Sequence, residues 1–134
     1  MTHSLEDMIQ AAKNMLSLAY TPYSQFKVGA CIRSSNDRLY VGCNVENAAY
    51  NLCCCAETNA IGNMITHGDQ QIEEVLIISS AGTLCPPCGG CRQQLAEFST
   101  DTTMIHLIAE GTQQHILLHD LLPLSFKPSS METS

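Results

Sequence analysis

Cys55-Ala56-Glu57 and Pro87-Cys88-Gly89-Gly90-Cys91 each stand at the head of a run with helical spacing. After Cys55, the apolar residues Ala56, Ala60, Ile61, Met64 and Ile65 recur at helical intervals and Gly68 suits a C-terminal cap. A helix is therefore expected from Cys55 to about Thr66. Pro86 and Pro87 stiffen the approach to another helix, Cys88 to Phe98. Val75-Leu76-Ile77-Ile78, between the two, reads as a buried strand, and Thr103 to Ile108 as the next.

Upstream, Leu5, Met8, Ile9, Ala12, Met15, Leu16 and Ala19 mark an amphipathic helix from Leu5 to Tyr20, ended before Pro22, with Ser4 as N-cap and Glu6 and Asp7 as first-turn acids. Lys27 to Arg33 and Arg38 to Val45 are β-prone runs joined by the turn-forming Ser34-Ser35-Asn36-Asp37, hence a hairpin. Downstream, the apolar run Ile116 to Leu118 leads into a short helix around Leu121 and Leu122, stopped by Pro123. A hairpin followed by helix, strand, helix and strand implies an α/β fold, a mixed sheet sandwiched by helices. Residues 1–128 form a single domain on this reading, and 129–134 a polar, frayed tail.

The 134 residues suffice for one core that buries roughly two-thirds of the unfolded surface. Hydrophobic residues reach 45% and charged residues only 14%, so burial between subunits is an expected outlet for apolar surface. A net charge of −7, with six Lys and Arg and no cluster of them, argues against binding a nucleic-acid backbone and favours a small substrate. Neither a charged leader with an apolar run nor an apolar stretch near eighteen residues is present, which points to a cytoplasmic protein. In that setting the eight cysteines are expected to be reduced, favouring metal binding or catalysis over disulfides, with the cysteines outside the metal pattern as small buried hydrophobes.

Cys55 and Cys88, each at a helix N-terminus, meet unpaired N–H groups and the positive end of a dipole, both of which favour thiolate. Cys88 and Cys91 have the spacing at which one turn presents two sulfurs to a metal, with Cys55 arriving from the other helix. Three thiolates leave a zinc coordination position open, as in catalytic sites, and Glu57 sits close enough to serve as a proton shuttle there. Other readings of the same residues are a redox dithiol at Cys85 and Cys88, a structural zinc held by Cys55, Cys85, Cys88 and Cys91, and Glu57 as a first-turn acid. His3, His67, His106, His115 and His119 fall in no ligand pattern and read as surface or helix-end residues.

Cys-Ala-Glu followed by Pro-Cys-x-x-Cys resembles the signature of zinc-dependent nucleoside and nucleobase deaminases, in the three-cysteine form of the small cytidine deaminases. The likeness extends over nearly the whole chain through Tyr23 to Ala30, Gly42 to Ala48, Cys91-Arg92-Gln93 and Leu121 to Phe126. It implies a three-layer α/β/α fold with a mixed five-stranded sheet, one Zn2+ per subunit and a homotetramer with sites near subunit interfaces. Cys55, Cys88 and Cys91 would hold the zinc and Glu57 would move protons in hydrolytic deamination of cytidine and 2′-deoxycytidine, a pyrimidine salvage reaction.

By the same resemblance, Asn44 and Glu46 would bind the ribose, Phe26 would pack on the base, and the backbone N–H of Ala56 would meet the pyrimidine carbonyl. Tyr50 and Phe126 would reach a neighbouring subunit's site. From residue chemistry alone, Asn44 and Glu46 equally suit a strand-end turn held by side-chain to backbone bonds, and Phe26 a core position. Thr58 departs from the pattern, since the resemblance implies Arg there to offset thiolate charge; a higher pH optimum is the expected result unless Arg92 or the helix dipoles compensate. Asn51-Leu52, where proline or glycine is frequent, is a milder departure. A related zinc deaminase acting on blasticidin S, a non-catalytic zinc-binding protein and RNA editing are the competing functions, the last weakened by the absence of a basic or aromatic groove.

Overall fold

The computed structural model describes residues 2–131. Helix α1 (Leu5–Leu16) is followed by strands β1 (Val28–Ser34) and β2 (Leu39–Cys43), helix α2 (Ala56–Thr66), strand β3 (Ile72–Ser79), helix α3 (Gly89–Glu97), strands β4 (Ser99–Ala109) and β5 (Thr112–Leu117) and the one-turn helix α4 (Leu118–Leu121). Short 3-10 turns occupy Tyr50–Leu52 and Pro128–Met131. Of the expected frayed tail, residues 132–134 lie outside the described residues.

The strands form one five-stranded sheet in the order β2-β1-β3-β4-β5, parallel only between β3 and β4. Alternation along each strand divides the side chains between two faces. Cys31, Leu76, Ile78 and Ile108 meet Met8, Ile9 and Ala12 of α1. Ala30, Ile32, Val75, Ile77, Ile105 and Leu107 meet Ala60, Met64, Leu95 and Leu118 of the other helices. The result is the expected α/β/α sandwich.

Two glycines set how closely the layers approach. A Cβ on Gly29 would lie 2.2 Å from the carbonyl oxygen of Ala12 in α1, and one on Gly42 would lie 2.4 Å from that of Ala56 in α2. Gly42 thus lets β2 touch the backbone of the first turn of α2, the turn that carries the candidate site.

The first helix is shorter than its periodicity predicts. Ser4 and Asp7 close its N-terminus in a capping box, but the helix ends at Leu16. The N–H of Tyr20 bonds instead to Asn44 O, and its carbonyl receives the N–H of Glu46, so residue 20 pairs with Val45 just beyond the end of β2. The apolar run Ile116 to Leu118 is split between β5 and α4, and α4 ends one residue short of Leu122. Strand β5 is an edge strand whose first residues, Thr112 to His115, are exposed, so it carries no hydrophobic signal.

Candidate metal centre and active site

Cys55 is the N-cap of α2 and Cys88 the N-cap of α3, with Cys91 in the first turn of α3. Their three sulfurs lie within 4.8 Å of one another, the only such His/Cys/Asp/Glu group among the described residues. Tetrahedral zinc with Zn–S of about 2.3 Å sets its sulfurs roughly 3.8 Å apart. Three soft donors at this separation on two helix N-termini fit that ion. Cys91 is buried while Cys55 and Cys88 are exposed, so the triad is open on one side. Cys85 lies outside it, and the four-cysteine structural site is not assembled.

The helix start shapes the thiols unequally. The N–H of Cys91 reaches Cys88 Sγ at 3.4 Å, and this bond lowers the Cys88 thiol despite partial burial. Burial raises Cys55 and, more strongly, Cys91, whose ionisation the neighbouring Glu57 carboxyl also opposes. Glu57 is 5% exposed, and burial pushes its carboxyl above its ordinary value against the pull of its own N–H and the Cys91 thiol. Ala56, between Cys55 and Glu57, is fully buried against β2.

Asn44 and Glu46 hold backbone, on the segment whose Val45 pairs with Cys54. Asn44 donates from Nδ2 to Phe26 O at 2.8 Å and accepts the N–H of Val28 at 2.9 Å through Oδ1. Glu46 Oε1 accepts the N–H groups of Tyr23 and Ser24 at 3.0 and 3.1 Å, and Oε2 accepts the Ser24 hydroxyl. The Ser24 hydroxyl is the largest influence holding the Glu46 carboxyl below its ordinary value, with the two N–H groups adding to it against burial. Phe26 is no core residue: it is 38% exposed on the segment that Asn44 fixes. Ser24 and Tyr23 carried no role in the sequence, because their bond to Glu46 spans more than twenty positions.

Tyr50 and Phe126 are 76% and 59% exposed, free of the core. The Tyr50 ring meets Tyr23 edge to face at 6.4 Å, and Phe126 O accepts Gln93 Nε2 at 3.0 Å, which ties the C-terminal segment to α3. A cavity of about 730 Å³ lies under that segment, lined by residues including Glu97, Asp101, Asp120 and Lys127, away from the three cysteines. Thr58 donates to Gln94 Oε1 at 2.6 Å and its hydroxyl is 4.0 Å from Cys91 Sγ. Arg92 bonds the carbonyls of Pro87 and Leu121 at 2.8 and 3.0 Å, bracing the cysteine loop against α4. Asn59, unmarked in the sequence, bonds Cys43 O at 2.7 Å and ties α2 to β2.

Two expectations need correcting. Cys53 and Cys54 are exposed rather than buried, with Cys53 Sγ accepting the N–H of Asn47 at 3.3 Å; Cys31 is buried, and Cys43 and Cys85 are half-buried. His106 is neither at the surface nor at a helix end: it is 7% exposed in the middle of β4, where a charged partner on β3 compensates its burial.

Residues 2–107 match the family described as the cytidine and deoxycytidylate deaminase zinc-binding region. The sequence is similar to the cytidine deaminase of Mycoplasma genitalium, 35% identical over 128 residues, covering 94% of this chain and 98% of that one. The cytidine deaminase of Halalkalibacterium halodurans is 34% identical over 95% of this chain and 94% of its own length. Among solved structures, cytidine deaminase from Burkholderia pseudomallei superposes with a TM-score of 0.87 at 35% identity, over 92% of this chain and all of that one (100%). No helix among the described residues is long and apolar enough to cross a membrane.

Proposed function

This chain belongs to the cytidine and deoxycytidylate deaminase zinc-binding family, and we propose that it hydrolyses cytidine and 2′-deoxycytidine to uridine and 2′-deoxyuridine with release of ammonia. The observation that carries this reading is the triad of sulfurs within 4.8 Å, open on one side, with the buried Glu57 two positions beyond Cys55. Cys55, Cys88 and Cys91 would hold one Zn2+ per chain. When bound, zinc supplies the Lewis acidity that makes water nucleophilic near neutral pH.

Glu57 does the proton work. Its carboxylate accepts a proton from the attacking water and delivers it to N3 of the pyrimidine as the new bond to C4 forms. It then takes the second proton of that water to the exocyclic nitrogen, and the C4–N bond breaks to give ammonia. Water is consumed and every atom is accounted for. Burial keeps this carboxyl out of bulk water, where proton affinity above that of a free carboxylate suits a group that must both take and give a proton.

The rim would bind the nucleoside. The N–H of Ala56 would donate to the pyrimidine carbonyl, Phe26 would pack on the base, and Asn44 and Glu46 would use their remaining donor and acceptor sites on the ribose. Exposed Tyr50 and Phe126 suit contacts with a neighbouring subunit's site in a homotetramer. Residues 1–128 act as one domain in this reading, in the cytoplasm and in pyrimidine salvage. A protein with net charge −7 has no use for a polymer's phosphates, and a free nucleoside needs no basic groove.

Zinc content per chain measured alongside loss of cytidine absorbance tests metal and substrate together. Glu57→Gln should retain zinc and lose turnover by at least about a hundredfold, the scale of a general acid-base contribution. A zinc-loaded Glu57→Gln protein with undiminished turnover would sink the mechanism.

A further inference from the structure

On the sheet face that carries α1, a row of polar side chains crosses four strands away from the cysteine site. Arg33 Nε on β1 donates to Glu74 Oε2 on β3 at 2.6 Å, and Glu74 Oε1 meets His106 Nε2 on β4 at 2.9 Å. His106 Nδ1 in turn lies 2.7 Å from Nδ1 of His115, its direct partner on β5. The Arg33 and His106 bonds outweigh burial and keep the Glu74 carboxyl below its ordinary value, so it is ionised and only accepts. His106 Nε2 therefore donates to Glu74, and its Nδ1 faces His115 Nδ1 across one hydrogen bond.

We propose that His106 and His115 form a second metal site, binding through their Nδ1 atoms a divalent transition ion that takes imidazole ligands, with Ni2+ or Cu2+ favoured by their place in the affinity order. A carboxylate that fixes a histidine tautomer from behind, itself anchored by an arginine, is how proteins orient an imidazole toward a metal. In the metal-free protein the two Nδ1 atoms share a hydrogen; the ion takes its place. Imidazole nitrogens bind at about 2.0–2.1 Å, which sets two of them about 2.8–3.0 Å apart at a right angle and about 3.3 Å apart at a tetrahedral angle. The observed 2.7 Å is a hydrogen-bond separation, shorter than either case, so the rings must turn apart to admit an ion. His115 is exposed on the edge strand, so its ring can turn to open the pair and water can fill the remaining positions. Occupied, the site staples β5 to β4.

The test uses zinc-loaded protein carrying His3→Ala, which removes the exposed histidine near the N-terminus that would compete for the same ions. Paramagnetic Ni2+ is added up to one equivalent while histidine side-chain and backbone NMR signals are followed. Signals of His106, His115 and their strand neighbours should broaden first. Replacing the exposed His115 by Ala should abolish that broadening with the spectrum of the core unchanged, and Glu74→Gln should weaken binding at least about tenfold. Broadening centred elsewhere, as at Cys53, Cys54, His67 or His119, or persisting around β4 and β5 in His115→Ala, overturns the site. Unchanged affinity in Glu74→Gln overturns the carboxylate's orienting role.

Discussion

Asn44 holds Phe26 in place by donating from its side-chain amide to the Phe26 carbonyl at 2.8 Å, while its amide oxygen receives the N–H of Val28 at 2.9 Å. A residue proposed to bind ribose is thus also the clamp on the segment proposed to pack on the base. Both roles draw on one amide, which has one further N–H and one further lone pair to offer substrate. Asn44→Ala leaves the buried Val28 N–H without its partner, which costs about 1–3 kcal/mol of stability. The same variant should raise KM for cytidine at least about tenfold, the cost of one hydrogen bond to substrate. Urea unfolding and initial-rate kinetics on one preparation separate the two effects; a stability loss with unchanged KM would reduce Asn44 to the clamp alone.

Metal affinity should depend steeply on pH. Burial raises Cys55 and Cys91, so both are thiols at neutral pH and must release protons when zinc is bound. At least two protons leave per ion, and the affinity should fall about a hundredfold for each unit of pH lost between 8 and 6. Competition with a chromophoric chelator across that range measures the slope. A slope near zero would mean that the thiols are already ionised before the metal arrives.

How much of this site could be read from the sequence follows from the range of the interactions. The cysteine triad was legible because two of its members cap helices and the third follows Cys88 within the same turn, and both signals are local. Glu57 followed from its place two positions beyond Cys55. The anchoring of Glu46 by Tyr23 and Ser24 was not legible, since nothing in a short window links residues 23 and 46. The strands β1, β3 and β4 announced themselves by apolar runs buried on both faces, whereas the edge strand β5 is polar along most of its length. His106 was misread for the same reason: its compensating partner, Glu74, is 32 positions away.

Asp69 shows the same blindness to long range and gives an acid-stability prediction. Tyr40 OH, Asn36 Nδ2 and Ser34 Oγ each donate to its carboxylate at 2.7 Å, across separations of 29 to 35 positions, and hold it down to about 2. A folded-state value below the unfolded one means that ionised Asp69 favours the fold. That contribution is complete above about pH 4 and is lost as the pH falls from there towards 2. Asp69→Asn should be less stable at pH 7 and show a shallower loss of stability between pH 4 and 2, measured by denaturant unfolding at fixed pH values.

Thr58 tests how the charge of the triad is balanced. Its hydroxyl is committed to Gln94 at 2.6 Å and stands 4.0 Å from Cys91 Sγ, so it brings no charge to the sulfurs. Arg92, the nearby cation named as a possible substitute, is bonded to the carbonyls of Pro87 and Leu121. A guanidinium placed by Thr58→Arg would favour the ionised forms at the site. The acid limb of the pH dependence of kcat/KM should then move down by about 0.5–1 unit. An unmoved limb in a zinc-loaded variant would show that the helix N-termini already supply the balance.

Gly29 and Gly42 provide a matched pair that separates fold from site. An added Cβ at Gly29 would meet Ala12 O at 2.2 Å and Met15 Cβ at 3.2 Å, so α1 must lift from the sheet. At Gly42 it would meet Ala56 O at 2.4 Å and the N of Ala60 at 2.5 Å, so the first turn of α2 must move. Both obstacles are helix backbone, which has no rotamer to give, and each Gly→Ala variant should lose about 1–3 kcal/mol of stability. Their effects on the site should differ. Helix α1 carries none of the cysteines, whereas the turn beside Gly42 carries Cys55, Ala56 and Glu57. Gly29→Ala should therefore bind zinc and turn over cytidine as the parent does at temperatures where it stays folded. Gly42→Ala should lose zinc to a chelator at least about tenfold more readily and lose kcat, since a ligand displaced by a fraction of an ångström no longer meets its partners. Equal losses of zinc affinity in the two variants would mean that global loosening, and not the seating of α2 on β2, governs the metal centre.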